Sequence, residues 1–178
     1  MKSLAIVNVL VVLLLVLVVQ LPTSSSAHNS KWRTLDGSAP LVIARGGLSG
    51  MFPYASEEAY QLALNLSVTD VIMWCDIQLT KDDYGLCLPN LVLNKGLNVD
   101  VVYPNRANVY FVNGVRTEGY FPIDFSLEEL LHANLTQEIY SRPHYYNDVY
   151  NVETVENVFK LLIDQKAVGL WLNIQNII

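Results

Sequence analysis

Basic residues are scarce in this chain. Eleven lysines and arginines stand against 17 acids among 178 residues, a formal net charge of −6. That balance argues against nucleic acid as a partner, because phosphate backbones are held by clustered Lys and Arg. Histidine is rarer still, at His28, His132 and His144, and there are only two cysteines, Cys75 and Cys87. Beyond residue 27 there is no internal repeat and no low-complexity tract. The C-terminal residues lack the small-residue cut site and apolar tail that direct lipid anchoring.

What is abundant lies at the front. Residues 4 to 19 (LAIVNVLVVLLLVLVV) are almost wholly apolar, behind Lys2 and ahead of Pro22, Ser25 and Ala27. This pattern predicts a secretory signal peptide over residues 1–27, cut near Ala27. An uncleaved anchor is the alternative, since the run is long for a signal peptide; it falls short of the ~20 residues of a comfortable span. After cleavage no membrane span is expected, and the chain is expected to be secreted and extracellular. Loss of Lys2 makes the mature chain one unit more acidic, and the 52% hydrophobic content is inflated by the leader. Roughly 150 residues remain, enough for one domain with a moderate core. In an oxidising compartment Cys75 and Cys87 can pair. "NLS" at Asn65 and "NLT" at Asn134 become usable glycosylation sequons there.

Residues 28–39 are polar and read as a linker, with the domain over 40–178. "PLVIAR" is a short run of buried-strand type. "SEEAYQLALNLS" reads as a helix capped by Ser56, with Glu57 and Glu58 at its positive end. Ala59, Leu62, Ala63 and Leu66 give it a buried stripe. "DVIMWCDIQL" is a second near-continuous apolar strand. Strand, helix and strand in about forty residues make a βαβ unit, hence a parallel sheet in an α/β fold. "TKDDYG" turns into "LCLPNLVL". Asn113-Gly114 between "VYFV" and "VRTEGYF" predicts a hairpin. Ser126 and Glu129 have capping-box spacing. "VETVENVFKLLIDQ" is helical by Val155, Val158, Phe159 and Leu162, and "GLWLNIQNII" is a last apolar strand. No helix follows to cover that strand's other face, although parallel strands normally have both faces covered.

"IARGG", "TKD", "IDFSLEEL" and "TVENVFKLL…LWLNIQ", in that order, resemble the glycerophosphodiester phosphodiesterases, and in particular plant extracellular members that carry two such domains in tandem. The resemblance covers residues 32–177. It implies a TIM (β/α)8 barrel with an insertion after the second strand and the active site at its C-terminal rim. Of eight strands this chain supplies about three, so the resemblance implies an incomplete barrel, truncated at the C-terminus. The family reaction is hydrolysis of a glycerophosphodiester to glycerol 3-phosphate and an alcohol. Its members use histidines as acid and base, and carboxylates that hold a divalent metal, calcium or magnesium.

Laid on this chain, that pattern is depleted. The first His-Arg falls on Ala44 and Arg45, and the Glu-Asn pair on Tyr54 and Ala55. Glu-x-Asp falls on Trp74, Cys75 and Asp76, the second His-Asp on Pro89 and Asn90, and a later metal-binding glutamate on Gln175. Arg45 and Asp76 are retained; no confident catalytic residue remains. One aspartate is a poor site for a hard cation, so no cofactor is expected in this chain. The histidines do not rescue it. His28 sits at the cut site, His132 at a helix end, and His144 in a Tyr-rich loop.

The survivors each carry two readings. Arg45 with Gly46 binds a phosphate, or Arg45 pairs with Asp76 at the strand end; Gly46 and Gly47 form an anion nest or merely a tight turn. Trp74 stacks on a sugar ring or is core. Cys75 and Cys87 form a cross-strand disulfide or stay as two buried thiols. For the chain as a whole, the family enzyme stands against a non-catalytic cell-surface or cell-wall module binding polysaccharide or a phosphorylated head group, and against a truncated product without function.

Overall fold

The structure, a computed structural model, describes residues 33–66, 71–164 and 169–174. The leader, His28, Trp32 and Gln175 lie outside the described residues. The chain divides into two compact units, Met1–Pro40 and Leu41–Ile178. In the first, residues 34–38 close a tight turn. Asp36 Oδ1 accepts from the Ser38 amide at 3.1 Å and the Ser38 hydroxyl at 2.8 Å, and also from the Thr34 hydroxyl.

The second unit begins with β1 (Val42–Arg45), α1 (Glu57–Leu66) and β2 (Val71–Leu79). β1 and β2 pair in parallel, with Arg45 opposite Trp74. The Ser56 hydroxyl accepts the Ala59 amide at 3.2 Å and so caps α1. Next come β3 (Gly85–Cys87), α2 (Val99–Val102), β4 (Asn108–Val112), β5 (Val115–Gly119) and α3 (Leu127–Leu130), then α4 (Val155–Asp164) and β6 (Gly169–Ile174). β6 pairs in parallel with β2, placing Trp171 opposite Trp74 and Asn173 opposite Asp76. The β-α-β expectation holds, and the structure is mixed α/β with a partial sheet.

β3 runs antiparallel to β2. Cys75 and Cys87 are joined by a disulfide across this pair, with Cα atoms 5.1 Å apart. The β4–β5 hairpin turns at Asn113 and Gly114, whose φ values of 52° and 79° are those of a two-residue hairpin turn. Ser126 and Glu129 form the expected capping box on α3. The segment between β3 and α4 leaves and returns at one place. The Cys87 amide donates to Glu153 O at 2.9 Å, and Leu86 bridges to Thr154. This inserted segment has its own core, including Leu93, Leu97, Val99, Phe125, Leu130 and Leu135.

A second core lies between the sheet and two of the helices. There Met73, Cys75 and Ile77 of β2 meet Tyr60 and Ala63 of α1 and Val158 and Leu162 of α4. Several expectations need correction here. Leu66, placed in the buried stripe, is 67% exposed. Tyr60 takes the buried place instead, because its hydroxyl reaches the Trp74 carbonyl at 2.9 Å. Val42 and Ile43 are also exposed rather than buried, since β1 pairs with β2 alone among the described residues.

Candidate functional site

Parallel register decides which side chains share a face. Alternate residues of a strand point the same way, and directly opposed residues stand side by side. The pairings place Arg45, Trp74 and Trp171 in one row across the sheet, and Asp76 and Asn173 in the next. Met73 and Cys75 face the helices instead. The row of Arg45, Trp74 and Trp171 is therefore a ladder of flat groups. The two indoles stack at 5.1 Å with 13° between planes, and the guanidinium lies 5.9 Å from the Trp74 ring. Trp74 is half-buried by this stacking rather than fully core.

Asp76 is fully buried at the centre of the next row. Its Oδ2 accepts Arg45 Nε at 3.0 Å and a second guanidinium nitrogen at 2.9 Å. The same oxygen accepts the Tyr54 hydroxyl at 2.5 Å. Oδ1 accepts the Asn173 carboxamide N–H at 2.6 Å. Burial alone would raise the Asp76 pKa. Hydrogen bonds to the ionised form, from Tyr54 and Asn173 and then Trp74 and Arg45, outweigh burial and hold the pKa below the ordinary carboxylate value. Burial pushes the Tyr54 phenol up, and its bond to Asp76 adds to the shift, so Tyr54 stays a neutral donor.

Of the two Arg45 readings, the structure displays the ion pair with Asp76, although the arginine side chain remains 56% exposed. The Gly46 amide, expected to face a phosphate, is spent inside the fold on the Trp74 carbonyl at 3.1 Å. Gly46 and Gly47 take φ of 63° and 71°. A Cβ at Gly47 would lie 2.4 Å from the Ala59 carbonyl carbon, so backbone packs on backbone at this turn. Ala44 lies beside the row with no titratable group. Asn90 donates to Glu138 Oε2 at 2.7 Å, and Pro89 precedes it. His132 and His144 are both exposed, and neither is bonded to Arg45, Tyr54 or Asn173; Asn65 is exposed at the last turn of α1, and Asn134 is half-buried.

The chain is 50% identical over 149 residues to glycerophosphodiester phosphodiesterase GDPDL1 of Arabidopsis thaliana, across 83% of this chain and 19% of that protein. It is 43% identical over 166 residues to GDPDL3 of the same plant, across 93% of this chain and 22% of that protein. The chain belongs to the glycerophosphodiester phosphodiesterase family. It spans about a fifth of the length of these two relatives. No family model matches it. Among solved structures, a glycerophosphodiester phosphodiesterase from Agrobacterium tumefaciens superposes with a TM-score of 0.54 at 14% identity, over 78% of this chain and 48% of that one. At that identity the likeness concerns the fold alone.

Sequence reasoning singled out Arg45 and Asp76, which the strand register brings to one face of the sheet. It missed Asn173 and Trp171, and it counted Tyr54 only as a lost glutamate. The period-two spacing of Trp171 and Asn173 with Trp74 and Asp76 was the available signal.

Two glutamates, Glu153 beside α1 and α4 and Glu138 in the inserted segment, titrate in the opposite sense to Asp76. Burial pushes the Glu153 carboxyl above the ordinary glutamate value; Asn157 opposes this, and Glu57 and Glu58 add to it. Burial also raises Glu138, against the bond from Asn90. Folded chains hold these protons more tightly than unfolded ones. Their contribution to stability therefore falls as pH rises from the ordinary glutamate range through the folded values. Glu153→Gln is expected to raise the melting temperature at neutral pH and to leave it unchanged well below the ordinary glutamate pKa. Calorimetry at the two pH values checks this; an equal loss at both would contradict it.

Proposed function

We propose that this chain is a non-catalytic secreted member of its family that hydrolyses no glycerophosphodiester. In this reading β1, β2 and β6 are the first three strands of a (β/α)8 barrel, and the segment between β3 and α4 is the insertion after the second. The observation that carries the proposal is the set of partners around Asp76. Arg45, Tyr54 and Asn173 direct hydrogens, not lone pairs, at its oxygens. Calcium and magnesium want several oxygen ligands. A carboxylate already paired with a guanidinium does not suit them, and the residues at the family's other positions, Tyr54 and Trp74, bring no second carboxylate. Ala44 and Pro89, at the histidine positions, can neither take nor give a proton. Acid–base catalysis typically contributes ~10²–10⁴-fold, and electrostatic stabilisation by the metal is often larger.

What the rim keeps is binding equipment. The Arg45 side chain is half-exposed beside a stacked indole pair. Such a surface suits a phosphorylated head group or a saccharide ring, in a cell-surface or cell-wall setting. The test is release of glycerol 3-phosphate from glycerophosphocholine by the purified chain, with calcium or magnesium added. No release above the buffer blank is expected. Turnover that disappears in an Asp76→Asn variant would overturn the proposal; turnover that survives it would mark a contaminating enzyme.

A further inference from the structure

Residues 137–150 form a loop packed on the turn between β1 and α1. Gln137 is buried, and its Nε2 donates to the Ser49 carbonyl at 3.0 Å and to the Phe52 carbonyl at 3.3 Å. Its Oε1 accepts the Ile139 amide at 3.0 Å, and its own amide donates to Asn147 Oδ1 at 2.8 Å. The Arg142 amide donates to Ile139 O, and the Asp148 amide to Leu135 O. The Phe52 ring packs on Tyr146 at 4.7 Å and on Tyr150 at 5.9 Å. Arg142 lies over Gly50, where a Cβ would be 3.5 Å from its Nε. The loop is thus braced along its length.

Bracing would ordinarily serve to bury apolar groups, yet here it holds them in water. Tyr140 is 95% and Tyr145 85% exposed, and Ile139 and Val149 of the same loop and Met51 of the turn it packs on are exposed too. Residues 139–147 include Arg142 and His144 but no acid, in a chain of net charge −6. Of the flanking acids, Asp148 accepts from Asn98 Nδ2 and Glu138 from Asn90. Exposed apolar side chains gathered on one braced loop mark an interaction surface.

We propose that this loop docks on a lipid bilayer, with Tyr140 and Tyr145 in the headgroup layer and Arg142 against headgroup phosphate. A tyrosine ring is apolar and its hydroxyl seeks water, which suits the boundary between the two. A guanidinium matches phosphate in charge and geometry. The aliphatic side chains of Met51, Ile139 and Val149 favour lipid over a glycan, whose hydroxylated surface rewards planar rings and polar groups instead. A single loop without an acyl chain binds reversibly. The acidic remainder of the chain limits the gain from added anionic lipid.

The experiment is co-sedimentation of the secreted chain with phosphatidylcholine vesicles, with and without phosphatidylglycerol. Retention on both is expected. The double variant Tyr140→Ser/Tyr145→Ser is expected to lower partitioning about tenfold with an unchanged thermal melt, and Arg142→Ala to lower it less. No retention of the wild-type chain overturns the proposal, as does equal retention of the double variant. Capture by insoluble polysaccharide with none by vesicles also overturns it, and would assign the loop to a glycan.

Discussion

Asp76→Ala is expected to destabilise the second unit by about 2–4 kcal/mol, seen as a lower midpoint in chemical denaturation. The side chain is fully buried, and its oxygens collect Arg45, Tyr54 and Asn173. Alanine removes all those acceptors together. The Tyr54 hydroxyl and the Asn173 amide are then left without their partner, at about 1–3 kcal/mol for each group that stays buried. Arg45 loses less, because its side chain is half in water. Asp76→Asn keeps the shape and some of the bonds and is expected to cost less. The sign of the pH dependence follows from the depressed pKa of Asp76. Its stabilisation is complete above the ordinary carboxylate range and is lost as pH falls through the folded value. The asparagine variant should therefore show a flatter acid limb. A wild-type acid limb that Asp76→Asn leaves unchanged would contradict the assignment.

Opening the Cys75–Cys87 bridge is expected to cost about 3 kcal/mol, the loop-closure value for a separation of 12 residues. Both cysteines are fully buried, and the bridge fixes β3 to the middle strand of the sheet. Denaturation of the wild type with and without reductant, beside a Cys75→Ala/Cys87→Ala variant, measures it. The variant separates loss of the tether from side reactions of free thiols. A change below about 1 kcal/mol in both would show that this ring does not restrict the unfolded chain.

Local signals in the sequence carried most of the fold. Asn113-Gly114 demanded a two-residue turn, Ser126 and Glu129 demanded a cap, and two apolar runs around a helix demanded parallel pairing. Each depends on residues a few positions apart. The errors came where burial depends on partners far along the chain. Leu66 satisfies helical periodicity, yet periodicity does not say how far the covering layer extends. The site was legible to the same degree. Arg45 and Asp76 could be paired because each lies in a recognisable strand of the same β-α-β unit. Asn173 could not, since it meets Asp76 from 97 residues away. Tyr54 was harder still. Compared with the family's glutamate it reads as a loss, whereas in three dimensions its hydroxyl supplies Asp76 with a donor.

The insertion's way out and way back bear on how this chain can change. Leu86 and Cys87 lead out of the sheet, and Glu153 and Thr154, hydrogen-bonded to them, lead in. Such an arrangement behaves like a socket. The length and content of what is plugged into it can vary while the two contacts stay fixed, because closing a longer loop costs only about 0.6 kcal/mol per doubling. A plug of another length can therefore be seated without redrawing the strands beneath, provided it too meets the turn between β1 and α1, as Gln137 does here.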